Sequence, residues 1–467
     1  MYQTSLFQKK EVLSMEISGG YGDDFSMKRV FREGDLKTKL SFGIMGLSNL
    51  LNKQFFKGIL FLLSEIIFII ACIYQIIPGI VGLVTLGTKT QGMQWQTIDG
   101  IKMKVSVEGD NSMLLMIYGL AAIIFCGVFA YVYWCSLKSN RKLFLLNKEN
   151  KKIPSFREDL KTLANGRFHM TLMIIPLIGV LLFTILPLVY MIGIAFTNYD
   201  HNHLPPGHLF DWVGLANFSN VLTGRMAGTF MPLLSWTMIW AVVATATNFF
   251  FGILLALLIN TKGLRGKKVF RTIFVITMAV PQFVSLLIMR NLLADWGPLN
   301  ALLEKWGLIS NALPFLSDGT WAKFSIIFVN MWVGIPVTML IATGIIMNLP
   351  TEQIEAAEID GANKFQIFRS ITFPQILLIM TPNLIQQFIG NINNFNVIYL
   401  LTGGGPNNSA LYQAGDTDLL VTWLYKLTVV ASDYNLASVI GIIIFVLSAV
   451  FSLLAYTRSK SYEGGLQ

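Results

Sequence analysis

The chain has 467 residues, of which 54% are hydrophobic and only 13% charged, with a formal charge of +9 at pH 7. Soluble domains carry about 25% charged residues, and the mean hydropathy here is +0.59, so a soluble globular protein is excluded and an all-α polytopic membrane protein is expected. In a membrane chain the positive balance reads as topology and lipid contact rather than nucleic-acid binding.

Residues 1–56 form a mixed-charge segment. Its later part places Phe42, Met45, Leu47, Leu50, Leu51 and Phe55 at roughly helical spacing, which predicts an interfacial helix on the inner leaflet. The first 20 residues hold no apolar core of signal-peptide type, so the first span is expected to serve as the insertion signal. About eight spans follow, at roughly 58–83, 113–136, 170–196, 233–260, 272–290, 324–348, 375–399 and 436–456. Pro281 interrupts the fifth and polar residues crowd the seventh. The organisation expected is 1–56 cytoplasmic or interfacial, 57–168 two spans and a basic loop, 169–460 a permeation core, and 461–467 a tail.

Charge sets the orientation. The 137–168 loop carries nine Lys or Arg against three acids, and 261–271 carries Lys262, Arg265, Lys267, Lys268 and Arg271 with no acid. The alternate loops, 84–112, 197–232, 291–323 and 400–435, show no such excess. The positive-inside rule then places both termini in the cytoplasm, together with the polar stretch 351–374. Cys72, Cys126 and Cys135 lie in or beside apolar runs and give neither a disulfide framework nor metal spacing. Glu65 lies within the first span, two turns from Lys57, and a structural pairing is the favoured reading. His201, His203 and His208 sit in HNHLPPGH, where a solvated loop is the ordinary reading and a metal site the alternative. GLRGKK at 263–268 lacks the spacing of a phosphate-binding loop, so the chain is not expected to hydrolyse ATP alone.

Two spans carry polar faces. In FVNMWVGIPVTML, Asn330, Gly334 and Val337 fall at i, i+4 and i+7, on one helix face. Gly334 allows close approach to the backbone, Pro336 loosens the helix, and Trp332 points elsewhere. In LIQQFIGNINNFNVIYLL, Gln386, Gln387, Asn391, Asn393 and Asn394 are too polar to face lipid, and Gln387, Gly390, Asn391 and Asn394 share a face. Amides both donate and accept, which suits neutral hydroxyl groups. Interhelical hydrogen bonding is the plainer alternative.

The stretch TEQIEAAEIDGANKFQIFRSITFP, residues 351–374, separates two of these spans. Thr351 after Pro350 signals a helix start, with Thr351 as N-cap. Ala356 and Ala357 are small enough for a partner to approach, Gly361 forces a turn, and Asn363 with Gln366 opens a second helix. Glu355-Ala356-Ala357, Asp360-Gly361, Ile371 and Pro374 resemble the cytoplasmic coupling loop of ABC importer permeases. Further on, NNFNVIYLLTGGGP at 393–406, then Gly415-Asp416-Thr417-Asp418-Leu419-Leu420-Val421 and Leu424-Tyr425, resemble carbohydrate importers, closest to the larger maltose/maltodextrin permease, the MalF type.

The resemblance covers about residues 170–460. It implies a type I ABC importer permease fold, coupling through Glu355, Ala356, Ala357, Asp360, Gly361, Ile371 and Pro374, and a sugar site matching Asn330, Gly334, Val337, Gln387, Gly390 and Asn391, to which the face adds Asn394. Val337 and Gly390 stand where maltose permeases carry tyrosine and phenylalanine, which implies a wider cavity. The short 197–232 loop departs from the enterobacterial form, with its large extracytoplasmic domain, and points to a Gram-positive-like relative. The implied partners are a second permease of the MalG type, an ATPase dimer using ATP and Mg, an extracellular solute-binding lipoprotein, an oligosaccharide and membrane lipids, with no nucleic acid. The chain itself would bind no cofactor. The implied place is the bacterial cytoplasmic membrane, and the implied substrate a maltodextrin, with a raffinose-type or multiple-sugar permease as the alternative. A polytopic membrane enzyme would need acid, His or Cys groups converging at membrane depth, and an ATP-independent porter would not need the 351–374 loop.

Overall fold

The computed structural model describes residues 26–457, apart from 99–100, 156–157, 159–160, 162–164, 166–167, 262 and 264. The expected tail at 461–467, the first 25 residues and part of the basic loops lie outside the described residues. The chain divides into two units, one of Met1–Met191 with Leu204–Asp211, the other of Ile192–His203 with Trp212–Gln467.

In the first unit, three short helices, α1 (Met27–Glu33), α2 (Leu36–Leu40) and α3 (Leu47–Leu51), precede the long helices α4 (Phe55–Thr85) and α5 (Ser112–Lys148). The expected interfacial helix does not form as one element. The chain turns at Gly46, whose φ of 78° is left-handed and whose Cα packs on Gly58, so a side chain there would meet backbone. Met45 is buried, and the segment folds onto α4 and α5. Tyr133 Oη donates to Phe42 O (2.7 Å), Asn49 Nδ2 to Ser139 Oγ (2.9 Å) and Asn140 Nδ2 to Thr38 O (3.1 Å). Glu65 accepts the Met45 N–H at 2.8 Å, which ties α4 to the segment before it. Further along, α4 and α5 approach closely through Gly79, Gly82 and Gly119, where small residues let helix backbones touch.

The 84–112 loop holds an unexpected antiparallel hairpin, β1 (Gly92–Ile98) with β2 (Ile101–Val107). Its base is clamped by Asp110, whose Oδ2 accepts from Thr88 N (2.8 Å) and Lys89 N (3.0 Å). The signal was present as Asp99-Gly100 between β-prone runs.

The third span is α6 (Thr171–Ile194). The second unit then adds α7 (Ala216–Leu222), α8 (Ala227–Asn260), α9 (Lys267–Ala279), α10 (Gln282–Leu292), α11 (Pro298–Lys305) and α12 (Gly319–Met347). After the polar stretch come α13 (Thr351–Ile359), α14 (Lys364–Ile367), α15 (Phe373–Ile392), α16 (Phe395–Thr402), α17 (Leu420–Val429) and α18 (Tyr434–Thr457). Among the described residues six helices are long and apolar enough to cross a membrane, or seven if the bent pair α9/α10 is one span.

Both segments singled out as interrupted behave differently from a plain span. The fifth bends by 93° at Val280-Pro281, because proline removes a helical donor and disfavours helix in the residue before it. The seventh breaks at Asn393. There the Asn394 side chain accepts from Val397 N (3.2 Å) and caps a new helix, α16, instead of continuing α15.

The glycine turn and the GDTDLL motif fold onto each other. Gly403 and Gly404 take φ of 63° and 82°, and a Cβ on Gly404 would collide with the Asp418 carboxylate. Asp418 is fully buried and paired with Lys426 at 2.6 Å, while Thr417 Oγ1 donates to Gly405 O (2.6 Å). Two motifs twelve residues apart are thus one structural knot.

Candidate functional site

The polar stretch forms the expected two helices. Pro350, not Thr351, occupies the cap position of α13: its backbone is extended (φ −61°, ψ 112°), Thr351 is already the first helical residue, and no side chain caps the helix. Gly361 has φ +81°, the left-handed conformation the turn requires. Asn363 and Gln366 form a reciprocal capping box, Gln366 N to Asn363 Oδ1 at 2.9 Å and Asn363 N to Gln366 Oε1 at 2.7 Å. A π turn at Phe368–Thr372 holds Ile371, half-buried, and joins α14 to α15, which opens with Pro374. Gln375 Nε2 donates to Gln353 Oε1 at 2.7 Å and ties α13 to the foot of α15.

No residue of α13 is buried. Glu355, Ala356, Asp360 and Gly361 are exposed and Ala357 is half-buried. Ile359 is 86% and Phe365 68% exposed. Two large apolar side chains, Ile359 at the end of α13 and Phe365 on α14, are thus exposed on either side of a left-handed glycine.

The amides converge on a seam where α8, α12 and α15 meet. Asn394 Nδ2 donates to Asn330 Oδ1 (3.4 Å) and approaches Asn391 Oδ1 (3.5 Å). Asn391 Nδ2 donates to Thr245 Oγ1 (2.9 Å), its carbonyl accepts from Trp240 Nε1 (3.1 Å), and Gln387 Nε2 donates to Thr338 Oγ1 (3.4 Å). Asn330 and Asn391 are buried, while Gln387 and Asn394 are half-buried. Gly390 is exposed with nothing beyond its own helix within 4 Å of its missing side chain among the described residues, and Val337 is 39% exposed, so both positions are open. Gln386 and Asn393 lie exposed, and Asn393 bonds its own helix at Ile389 O (3.1 Å).

Gly334 departs from expectation. The space over its backbone is filled by the Asn248 side-chain amide of α8. Sequence reasoning missed Asn248, Thr245 and Thr338. The available signal was a lone amide, Asn248, inside an otherwise apolar span. No acid or base stands among these named seam residues, so the seam offers donors and acceptors without charge.

The histidines divide. His201 Nδ1 lies 2.9 Å from Asp433 Oδ1, His203 Nδ1 lies 2.8 Å from Asp200 Oδ1, and His208 belongs to the first unit. Among the described residues no group of three His, Cys, Asp or Glu could hold a metal. Asp433 also accepts from Tyr412 Oη (2.7 Å), and burial, then this bond, pushes the phenol up to about 12, so it stays a donor throughout. The hydrogen bond to Asp433 raises the His201 pKa above its ordinary 6.5. A raised folded-state pKa contributes stability below the ordinary value and loses it as pH rises through the raised one. The melting temperature of the purified complex is therefore expected to fall slightly above about pH 6.5, and His201→Gln to flatten that fall. Identical slopes would remove this role.

These elements define a helical membrane protein with a polar seam in its bundle and an exposed two-helix loop at 351–374. The family described as binding-protein-dependent transport system inner membrane component matches residues 248–460. The chain is 35% identical over 424 residues to the galactooligosaccharides transport system permease protein GanP of Bacillus subtilis, covering 90% of this chain and 96% of that one. It is 34% identical to the maltodextrin transport system permease protein MalC of Streptococcus pneumoniae, covering 90% and 95%. Against the maltose/maltodextrin permease MalF of Escherichia coli the 34% identity covers 56% of this chain and 52% of the relative, in keeping with the short 197–232 loop. In fold it is similar to a bacterial alginate ABC transporter chain, with a TM-score of 0.55, 22% identity, and 64% of this chain and 98% of that chain covered. The chain belongs to this family of sugar ABC importer permeases. It is a transport subunit and not an enzyme.

Proposed function

We propose that this chain is the larger permease subunit of an ATP-driven importer of neutral oligosaccharides, with maltodextrins as substrate. The observation that carries the reading is the uncharged amide seam of Asn330, Gln387, Asn391 and Asn394, rimmed by Val337 and Gly390. Sugar hydroxyls replace the amide–amide bonds of the seam when the helices part, and alternating access moves the site from outside to inside. The open rim at Val337 and Gly390 suits chains longer than a disaccharide. The GanP likeness supports a second reading, in which the chain carries galacto-oligosaccharides.

The partners in this reading are a MalG-type permease, a dimer of ATPases holding ATP and Mg, and an extracellular solute-binding lipoprotein. The ATPase seats on α13 and α14, meeting Glu355, Ala356, Ala357, Asp360 and Gly361, with Ile371 and Pro374 fixing the loop to α15. Both termini and this loop face the cytoplasm of the bacterial membrane, as the charge distribution supports.

Uptake of labelled maltotriose and galactotriose by cells expressing the whole complex separates the two substrates. Uptake of neither, with uptake of a charged sugar, would overturn the reading. The purified chain alone is expected to hydrolyse no ATP, with activity appearing only when the ATPase subunits and second permease are added. Turnover by the chain alone, free of contaminating ATPase, would contradict it.

A further inference from the structure

Three buried amide atoms of the seam have no hydrogen-bond partner among the described residues: Asn248 Oδ1, Asn330 Nδ2 and Gln387 Oε1. They come from three helices, α8, α12 and α15, and they address three successive turns of α12. Asn330 is on the first turn, Asn248 covers Gly334 on the second, and Gln387 bonds Thr338 on the third. Four-residue steps along a helix are about 6 Å apart. Asn248 and Asn330 are only 3% and 4% exposed, so bulk water does not satisfy them. Buried polar atoms are almost always paired, and a set of orphans on one seam calls for a ligand.

We propose that these atoms form a hydroxyl-binding subsite, and that Asn248 is a ligand-contacting residue that covers Gly334 until a sugar displaces it. The proposal rests on the reading of the seam as the sugar path. The chemistry selects the ligand. Two of the atoms accept and one donates. A hydroxyl donates to Asn248 Oδ1 or Gln387 Oε1, and a hydroxyl oxygen accepts from Asn330 Nδ2. A carboxylate or phosphate would face two oxygens it cannot bond. The subsite therefore takes neutral sugar hydroxyls and disfavours acidic sugars. Once Asn248 moves, the Gly334 backbone becomes a surface on which a pyranose ring can lie.

The test is Asn248→Leu in the complete transport complex. Removing an unpaired buried polar atom is neutral or stabilising for the fold. The variant is thus expected to melt no lower than wild type and to keep ATPase stimulation by the binding protein. Its KM for whichever of labelled maltotriose or galactotriose the wild type takes up should rise by about tenfold, with the maximal rate changed less. An unchanged KM in a stable complex would overturn the subsite and leave Asn248 as packing. Should Asn248→Leu fail to accumulate, Asn248→Thr is measured in its stead, with a raised KM expected and an unchanged one overturning the proposal. Asn391→Leu separates the two levels. If it impairs uptake and the Asn248 variant does not, only the subsite falls; if neither impairs uptake, the seam is not the sugar path.

Discussion

Gly361→Asp is expected to abolish sugar uptake while the protein still inserts and assembles. Gly361 sits at φ +81°, and among the described residues nothing beyond its chain neighbours lies within 4 Å of the position its Cβ would take. The fold therefore has room for the side chain and bears only the left-handed backbone cost, roughly 1–2 kcal/mol, less for an aspartate. An ATPase seated on α13 and α14, as proposed, would have no such room. The added carboxylate would stand between the exposed Ile359 and Phe365, where an apolar contact is expected, and an unpaired charge there is expensive to desolvate. Gly361→Ala carries the backbone cost with less bulk and no charge, so it should retain part of the transport. The measurements are membrane content, binding-protein-stimulated ATPase and uptake in the same preparation. Normal uptake by Gly361→Asp would remove the coupling role from this loop.

Asn391→Leu is expected to cut uptake by a factor of about 5 to 150, the equivalent of about 1–3 kcal/mol for a hydrogen bond lost to a desolvated ligand. Asn391 is 5% exposed and holds Thr245 at 2.9 Å, so part of the loss is structural. Membrane content and ATPase stimulation separate that part, since a sugar contact can be lost with both retained. The rim gives a complementary result. Gly390→Phe enters open space and Val337→Tyr enlarges a side chain that is already 39% exposed, so neither disturbs the core. Both narrow the opening, and preference should move towards shorter sugars. Uptake of labelled oligosaccharides of two to six units reads this directly. Wild-type rates and an unchanged length profile in all three variants would place the site elsewhere.

The sequence determined the class and the two-helix form of the 351–374 loop. These are local matters. Apolar runs of span length, a left-handed glycine and an Asn363–Gln366 capping box are written within a few residues and fold the same way wherever the loop sits. The same locality made two expectations fail. The apolar spacing over 42–55 suggested one surface helix, but Gly46 breaks it against Gly58, a residue that only the packed α4 supplies. The run at 375–399 suggested one span, but Asn394 turns its amide to cap α16. The amide faces of α12 and α15 were legible from helical periodicity. What they face was not. Only the tertiary structure brings α8 alongside, fills the space over Gly334 with Asn248, and leaves three amide atoms on one seam without partners among the described residues. Partnering of that kind depends on residues from 49 to 146 positions apart, which no spacing rule relates.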